Sequence, residues 1–353
     1  MLRRLVLKIH LYLSLASLVF LVIVSATGAL LVYLDPIDRL LNPHLTVVQP
    51  ERERLSLAAI TAAAQRANPA RRVIRLQLPE RDDLSYTALL QDGTRVHVNG
   101  DTGEILGARH LQSGPSYYLS SLHTSLLLTN RSLGRGIVGW ANVALLVISV
   151  TGLVLWWRRK LFVPGTSGGW RRVNLDLHHV SGVYALILVV VIGGTGVMLS
   201  FPAAVNPAVW AVTGAPAPVT LPKPIVRKGA AMITPDQAVE AARAALPGAR
   251  PTWVGVGPVT SVDLKFPEDG TPAGRSHVFL DPYTGQVLLV QNTRAAHAAT
   301  AVRNATRMLH TGDIWGWPSQ FAWCAACLAL VVQAVTGLLI WWKPKQAAAA
   351  GRR

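Results

Sequence analysis

The stretch VTGLVLWW, residues 150–157, returns almost unchanged as VTGLLIWW, residues 335–342. Each copy closes a run free of charged residues, 137–157 and 321–342, and two further runs, 11–34 and 180–201, are equally uncharged. A bilayer crossing takes roughly 20 apolar residues, so all four are long enough to span. The rest of the composition agrees: 51% of the 353 residues are hydrophobic and only 15% are charged, too apolar for an ordinary soluble chain. The first run is long and lacks a clear small-residue cleavage site, so it is expected to be a retained helix rather than a signal peptide.

Charge orients these spans. The formal net charge is +16, which invites a nucleic-acid reading, but the distribution argues against one. Arg3, Arg4 and Lys8 precede the first span, Arg158, Arg159, Lys160, Arg171 and Arg172 lie between the second and third, and Lys343, Lys345, Arg352 and Arg353 follow the fourth. These short segments hold twelve basic residues against one acid, Asp176, whereas the two long loops hold 22 basic and 17 acidic residues. Short basic segments stay in the cytoplasm, which predicts both termini inside and both long loops outside. Trp156-Trp157 and Trp341-Trp342, beside basic flanks, suit interfacial anchors.

The copies extend further. At a shift of 168 the first and third spans align, matching His10 with His178 and Thr27-Gly28 with Thr195-Gly196. At a shift of 185 the second and fourth align, and the Leu122-His123-Thr124 and Leu309-His310-Thr311 triplets match at 187. Every span therefore carries one Thr-Gly, a small-residue signature of close helix packing in membranes. The long loops match as well. LSLAAITAAAQRANP and ITPDQAVEAARAALP read as amphipathic helices ending at Pro, followed by alternating strand-like stretches whose NGDTG and DPYTG elements read as hairpin turns. The expected fold is a mainly α membrane protein of two parallel repeats, each made of a helix, an external α+β domain and a helix. Its segments are 1–34 first span, 35–136 first external domain with an interfacial helix, 137–157 second span, 158–177 cytoplasmic loop, 178–201 third span, 202–320 second external domain, 321–342 fourth span and 343–353 tail.

The Asp-x-x-Thr-Gly-x-[Val/Ile]-Leu ending after an Ala-rich helix resembles the PepSY domain, and the spans resemble the PepSY-associated transmembrane family. His10, His123 in SLHTSLLL, TGLVLWW, His178 and His310 carry the resemblance across nearly the whole chain; Asn99-Gly100-Asp101 departs from the Asp-Pro usual in that family. The resemblance implies periplasmic PepSY-like domains on a bacterial inner-membrane protein. Members include iron-uptake proteins, among them haem-containing reductases of ferric siderophores.

Singly, a histidine near a helix end reads as an interfacial side chain. Two matched pairs read differently, because a six-coordinate b-type haem takes one imidazole from each face of its iron. Depth restricts the pairing. His10 and His178 start outward-going spans, and His123 and His310 approach inward-going ones. With a hydrocarbon core about 30 Å thick, only His10 with His178 (inner) and His123 with His310 (outer) can share an iron. His179 faces about 100° from its neighbour on a helix and is the alternative inner ligand. His110 and His297 echo each other thirteen residues before the outer candidates and read as surface residues; His44, His97 and His277 read as solvated loop residues. Cys324 and Cys327 share a helix face and read as packing, and without a following His their spacing does not suit covalent haem attachment.

The spans hold no carboxylate for ion coupling, and there is no phosphate loop, nucleophile elbow or dinucleotide fingerprint. The expected function is two-haem electron transfer from a cytoplasmic reductase or quinol to a periplasmic ferric siderophore or other ferric chelate, with no nucleic-acid partner. Trp315, Trp317, Tyr117 and Tyr118, beside the outer candidates, are expected to line the electron exit or to form an interfacial aromatic belt against lipid. The alternative is a membrane-tethered regulator of a periplasmic peptidase without redox activity.

Overall fold

Each uncharged run grows into a longer helix in the computed structural model, because polar and aromatic flanks continue the backbone hydrogen bonds past the apolar stretch. In chain order the elements are α1 (Leu2–Leu31), α2 (Leu34–Leu41), α3 (Pro43–Thr46), α4 (Leu57–Ala67), β1 (Val73–Gln77), β2 (Tyr86–Leu90), β3 (Thr94–Val98), β4 (Ile105–His110), α5 (Gly114–Ser125), α6 (Arg131–Trp156), α7 (Gly169–Ser200), α8 (Pro202–Thr213), α9 (Pro235–Ala245), β5 (Arg250–Gly255), β6 (Thr260–Lys265), β7 (Ser276–Leu280), β8 (Val287–Gln291), α10 (Ala298–Thr311) and α11 (Trp317–Ala350). The structure describes all residues except 51–52, 158–159, 166–168, 215–219, 224–225 and 351–353, and only the backbone over 343–350. Arg158, Arg159, Arg352 and Arg353, together with the side chains of Lys343 and Lys345, therefore lie outside the described residues.

Two units form. The helical unit comprises Met1–Tyr33, Tyr118–Ala208 and Ala305–Arg353; the sheet unit comprises Leu34–Tyr117 and Val209–Asn304. In the helical unit α1, α6, α7 and α11 each pack on two neighbours, closing a ring in the order α1, α6, α7, α11. All four are long and apolar enough to cross a membrane. Val19, Val150, Ile187 and Val335 on these helices expose half or more of their surface, an arrangement that water penalises and hydrocarbon does not. Inside the ring, Leu145, Ala185 and Val189 form a small core.

In the sheet unit the two Ala-rich segments begin with side-chain caps, as their polar first residues predict. Ser56 Oγ accepts from Ala59 N–H, and Thr234 with Gln237 forms a reciprocal capping box. Asp236 adds a bridge between the segments, its two carboxylate oxygens accepting from Leu57 and Ala58 N–H at 2.8 and 2.9 Å. The strands do not form two separate domains. They build one antiparallel eight-stranded sheet in the order β4-β3-β2-β1-β5-β6-β7-β8, joined where Arg75, Leu76 and Gln77 pair with Gly255, Val254 and Trp253. One core of Ile60, Leu76, Val96, Val254, Val262 and Val278, all essentially inaccessible, runs beneath α4 and α9. Two expectedly external halves thus fuse into a single folding unit, since one continuous core buries more apolar surface than two small ones.

Two histidines expected in solvated loops lie in strands instead. His277, in β7, donates from Nδ1 to Asp263 Oδ1 at 2.9 Å, and Asp263 also pairs with Arg75, whose guanidinium sits over Trp253. His97, in β3, is only 3% exposed. Burial first, then the Arg109 charge, push its pKa from 6.5 down to about 4. The unfolded chain therefore binds a proton near pH 6.5 that the folded chain refuses until about pH 4, so this contribution to stability is full above pH 6.5 and is lost as pH falls to 4. At about 1.4 kcal/mol per pH unit the loss reaches up to roughly 3 kcal/mol. Amide exchange in β2 to β4, corrected for intrinsic rates, should show this slope in the wild type and a flatter one in His97→Leu.

Candidate functional site

The four threonines of the Thr-Gly pairs hold the four matched histidines. Thr151 Oγ1 lies 3.0 Å from His10 Nδ1, Thr27 Oγ1 3.1 Å from His123 Nδ1, Thr336 Oγ1 2.9 Å from His178 Nδ1 and Thr195 Oγ1 3.1 Å from His310 Nδ1. Each hydroxyl spends its own proton on the carbonyl four residues back in its helix, at 2.6–2.8 Å. Only lone pairs remain for the imidazole, so Nδ1 must be the donor. At three of the four a second acceptor agrees: Ile148, Val24 and Ile192 carbonyl oxygens face Nδ1 of His10, His123 and His310 at 3.2, 3.0 and 3.2 Å. The tautomer follows: Nδ1 carries the proton and Nε2 the lone pair. Among the described residues no hydrogen bond engages Nε2 of any of the four.

At three of the four places the glycine after the threonine gives the ring its seat. A β-carbon at Gly28, Gly152 or Gly337 would stand 3.2, 3.2 or 3.3 Å from Cε1 of His123, His10 or His178. The fourth place differs, because Gly196 is closed by Asn142, which would meet a β-carbon at 2.9 Å. His178 differs in another respect. Residue 333 is Gln, and its Nε2 donates to the His178 carbonyl at 2.5 Å and to Ser181 Oγ at 2.7 Å, while Asn174 Nδ2 donates to the Thr336 carbonyl at 3.0 Å.

His123 and His310 meet. Their ring centres are 6.1 Å apart with planes inclined by 56°. The turns that deliver them are built differently. After α10, Gly312 adopts φ +78° and Gly316 φ +66°. Trp323 packs on Gly312 and its indole N–H donates to the Leu309 carbonyl at 2.6 Å. Asp313 accepts from Thr311 at 2.7 Å and Gln320 at 3.0 Å. After α5 there is no glycine: Leu126 and Leu127 themselves take φ of 55° and 58°. For non-glycine residues that conformation costs about 1–2 kcal/mol each, and Gly134 of α6 fits directly under the Ser125 carbonyl.

His10 and His178 line a common cavity of about 500 Å³ inside the helix ring, walled by Leu145, Val189, Leu330 and Gln333 among others. That volume lies within the usual range for small-molecule sites, roughly 300–1,000 Å³. His179 lines the same cavity, its ring 6.4 Å from that of His178; it is His178 whose Nδ1 meets the span threonine, as at the other three places. Trp315 and Trp317 are exposed, as is Tyr118, and Tyr117 is half-buried. His44 and His297 are exposed. His110 uses both ring nitrogens within its own hairpin, with the Asp92 carbonyl at 2.7 Å and Gln112 N–H at 3.1 Å. Cys327 is buried against Gly28, whose β-carbon would lie 3.5 Å from the sulfur.

The threonine partners escaped the reading of the sequence, which took Thr-Gly only as a packing signal. The clue was present: the number of Thr-Gly pairs in the spans equals the number of matched histidines.

A ring of four apolar helices, with four imidazoles anchored on threonines of neighbouring helices, defines a membrane protein. The profile of the PepSY-associated TM region matches residues 7–343, and the chain belongs to this family. Comparison with curated proteins gives no match.

Proposed function

We propose that this protein is a dihaem b-type electron-transfer protein of the bacterial inner membrane that reduces a ferric siderophore or another ferric chelate on the periplasmic side. The observation that carries the reading is the set of four imidazoles fixed through Nδ1 with Nε2 left available. His123 and His310 would hold one haem. Their ring centres lie 6.1 Å apart, which brings two neutral imidazoles together as nitrogen donors. His10 and His178, sharing one cavity, supply the second pair.

When bound, haem supplies a one-electron Fe(III)/Fe(II) relay at each pair. The residues of the chain do the rest. Thr27, Thr151, Thr195 and Thr336 hold the imidazoles in one tautomer and one orientation, and the hydrogen bond to Nδ1 raises ligand basicity. Leucines and valines around His10 and His178 exclude water, which sets the dielectric and hence the potential. The basic flanks, Arg3, Arg4, Lys8, Arg171 and Arg172, keep the His10 end of the helices inside, where a cytoplasmic reductase or quinol donates. Outside, Trp315, Trp317 and Tyr118 offer exposed aromatic surface beside the His310 and His123 helices. A chelate of hard oxygen ligands binds Fe(II) less well than Fe(III), so reduction releases the metal for uptake.

The test is the optical spectrum of the detergent-purified chain, oxidised and then reduced with dithionite. Two b-type haems per chain, reoxidised on adding a ferric chelate, are expected. Colourless protein from haem-replete cells would overturn the reading and favour a PepSY regulator of a peptidase.

A further inference from the structure

The sheet unit carries a charge arrangement that electron transfer does not use. Val96 and Val98 point into the core beneath α4, so Arg95 and His97 of β3 occupy the opposite face. On β4 the residue directly across from Arg95 is Arg109. Like charges in register on one face are destabilising. Here both side chains are also partly buried, which makes the juxtaposition costlier.

One carboxylate relieves it incompletely. Asp38 of α2 takes both Arg109 Nη groups in a fork, at 2.6 and 2.5 Å. Arg95 makes no ion pair or hydrogen bond among the described residues, and Asp38 and Asp35 act on it only through their charge. Burial, and then the neighbouring Arg109 charge, hold its guanidinium below its ordinary pKa. Nε of Arg95, Nε of Arg109 and Nε2 of His97 are each buried with no partner in the described structure, and so is Nε of Arg75 two strands away on the same face. Native proteins rarely leave such groups unanswered, and a cluster of them points to a missing acceptor. Positive charge, planar donor forks and unanswered N–H groups together specify an oxyanion.

We infer that Arg95 and Arg109, with His97 beside them, form an oxyanion site that takes a phosphate or carboxylate group. Asp38 follows the last residue of the first span by seven positions, which gives the site two natural sources of that chemistry. One is the phosphate of a phospholipid headgroup; the other is a carboxylate arm of a soluble anionic chelate. This inference stands apart from the haem reading, because it uses neither the histidine pairs nor their cavity.

The test uses the full chain in neutral detergent, with inorganic phosphate, citrate, gallium(III) citrate and phosphatidylglycerol as probes and the thermal midpoint as readout. At least one probe is expected to raise the midpoint saturably, with Arg95→Gln weakening its apparent affinity at least tenfold. Arg66→Gln, at an exposed arginine on α4, should leave the affinity unchanged. Asp38→Asn, which frees the Arg109 fork, should tighten binding, and this opposite sign distinguishes a binding site from damage to the fold. A response to phosphatidylglycerol alone assigns the lipid source, and a response to citrate or its gallium complex assigns the chelate source. Absence of any saturable response, or equal affinity in wild type and Arg95→Gln, overturns the inference. A colourless chain that still binds the anion refutes only the haem reading; a haem-loaded chain that binds none refutes only this one.

Discussion

On the proposed two-haem reading, replacing His310 with alanine is expected to leave one haem instead of two, and to slow ferric-chelate reduction by at least about 100-fold. The substitution removes an imidazole that no nearby side chain replaces: His123, 6.1 Å away, is the only other imidazole in ring contact with it among the described residues. The His10–His178 cavity lies elsewhere in the bundle and does not include His310, so its haem should persist in the reduced spectrum. Loss of the other haem instead would refute the pairing. Thr195→Val provides the graded comparison. It deletes the acceptor at 3.1 Å while leaving the Ile192 carbonyl at 3.2 Å, so ligand orientation loosens without disappearing. Outer partners of this kind typically contribute 10–100-fold in affinity. The expected result is weaker retention of the same haem and a shifted midpoint potential, read by redox titration.

The second large effect is expected at a residue that touches no proposed ligand. A β-carbon on Gly134 would fall 2.1 Å from the Ser125 carbonyl oxygen and 2.9 Å from its Cα. Backbone, unlike the end of a flexible side chain, cannot swing aside. Gly134→Ala must therefore push the end of α5 away from α6, and His123 lies two residues before Ser125. Overpacking of this kind costs about 1–3 kcal/mol or more, and the displacement should abolish the His123–His310 haem with every histidine still present. Gly136→Ala, two residues along the same helix and with nothing within 4 Å of its β-carbon, should be neutral or slightly stabilising. Haem content and unfolding temperature of the two variants provide the comparison.

Much of this architecture is legible in the residues because its signals are local. Four uncharged runs, two Ala-rich helices with polar caps and alternating strands can each be read within a short window. What stays hidden is non-local. The pairing of Arg75–Gln77 with Trp253–Gly255 joins segments whose alternation would look the same at a sheet edge or its centre, so two separate domains were expected where one sheet forms. His97 and His277 were misplaced for a related reason: a polar residue close to a turn looks like a loop residue until its strand partners are known. The matched histidines were found through internal similarity, yet their threonine anchors were not, because the contacts cross from one helix to another. The turn after α5 gives no warning at all, since two leucines adopt a conformation that sequence reasoning reserves for glycine.

The junction at β1 also constrains how the protein is made. Until β5 pairs with it, β1 is an open sheet edge, and its partner begins at Arg250, some 175 residues after Val73. At synthesis rates of about 5–20 residues per second, that edge waits roughly 9–35 s on the growing chain. Two further membrane-crossing helices must be inserted in the interval. An exposed strand edge is a template for wrong pairing, and Arg75 near the middle of β1 is a charged deterrent to it. Once β5 and then β6 have added to the sheet, the same arginine pairs with Asp263 of β6. The residue that guards the nascent edge ends as a side-chain tie across β5 to the strand beyond it.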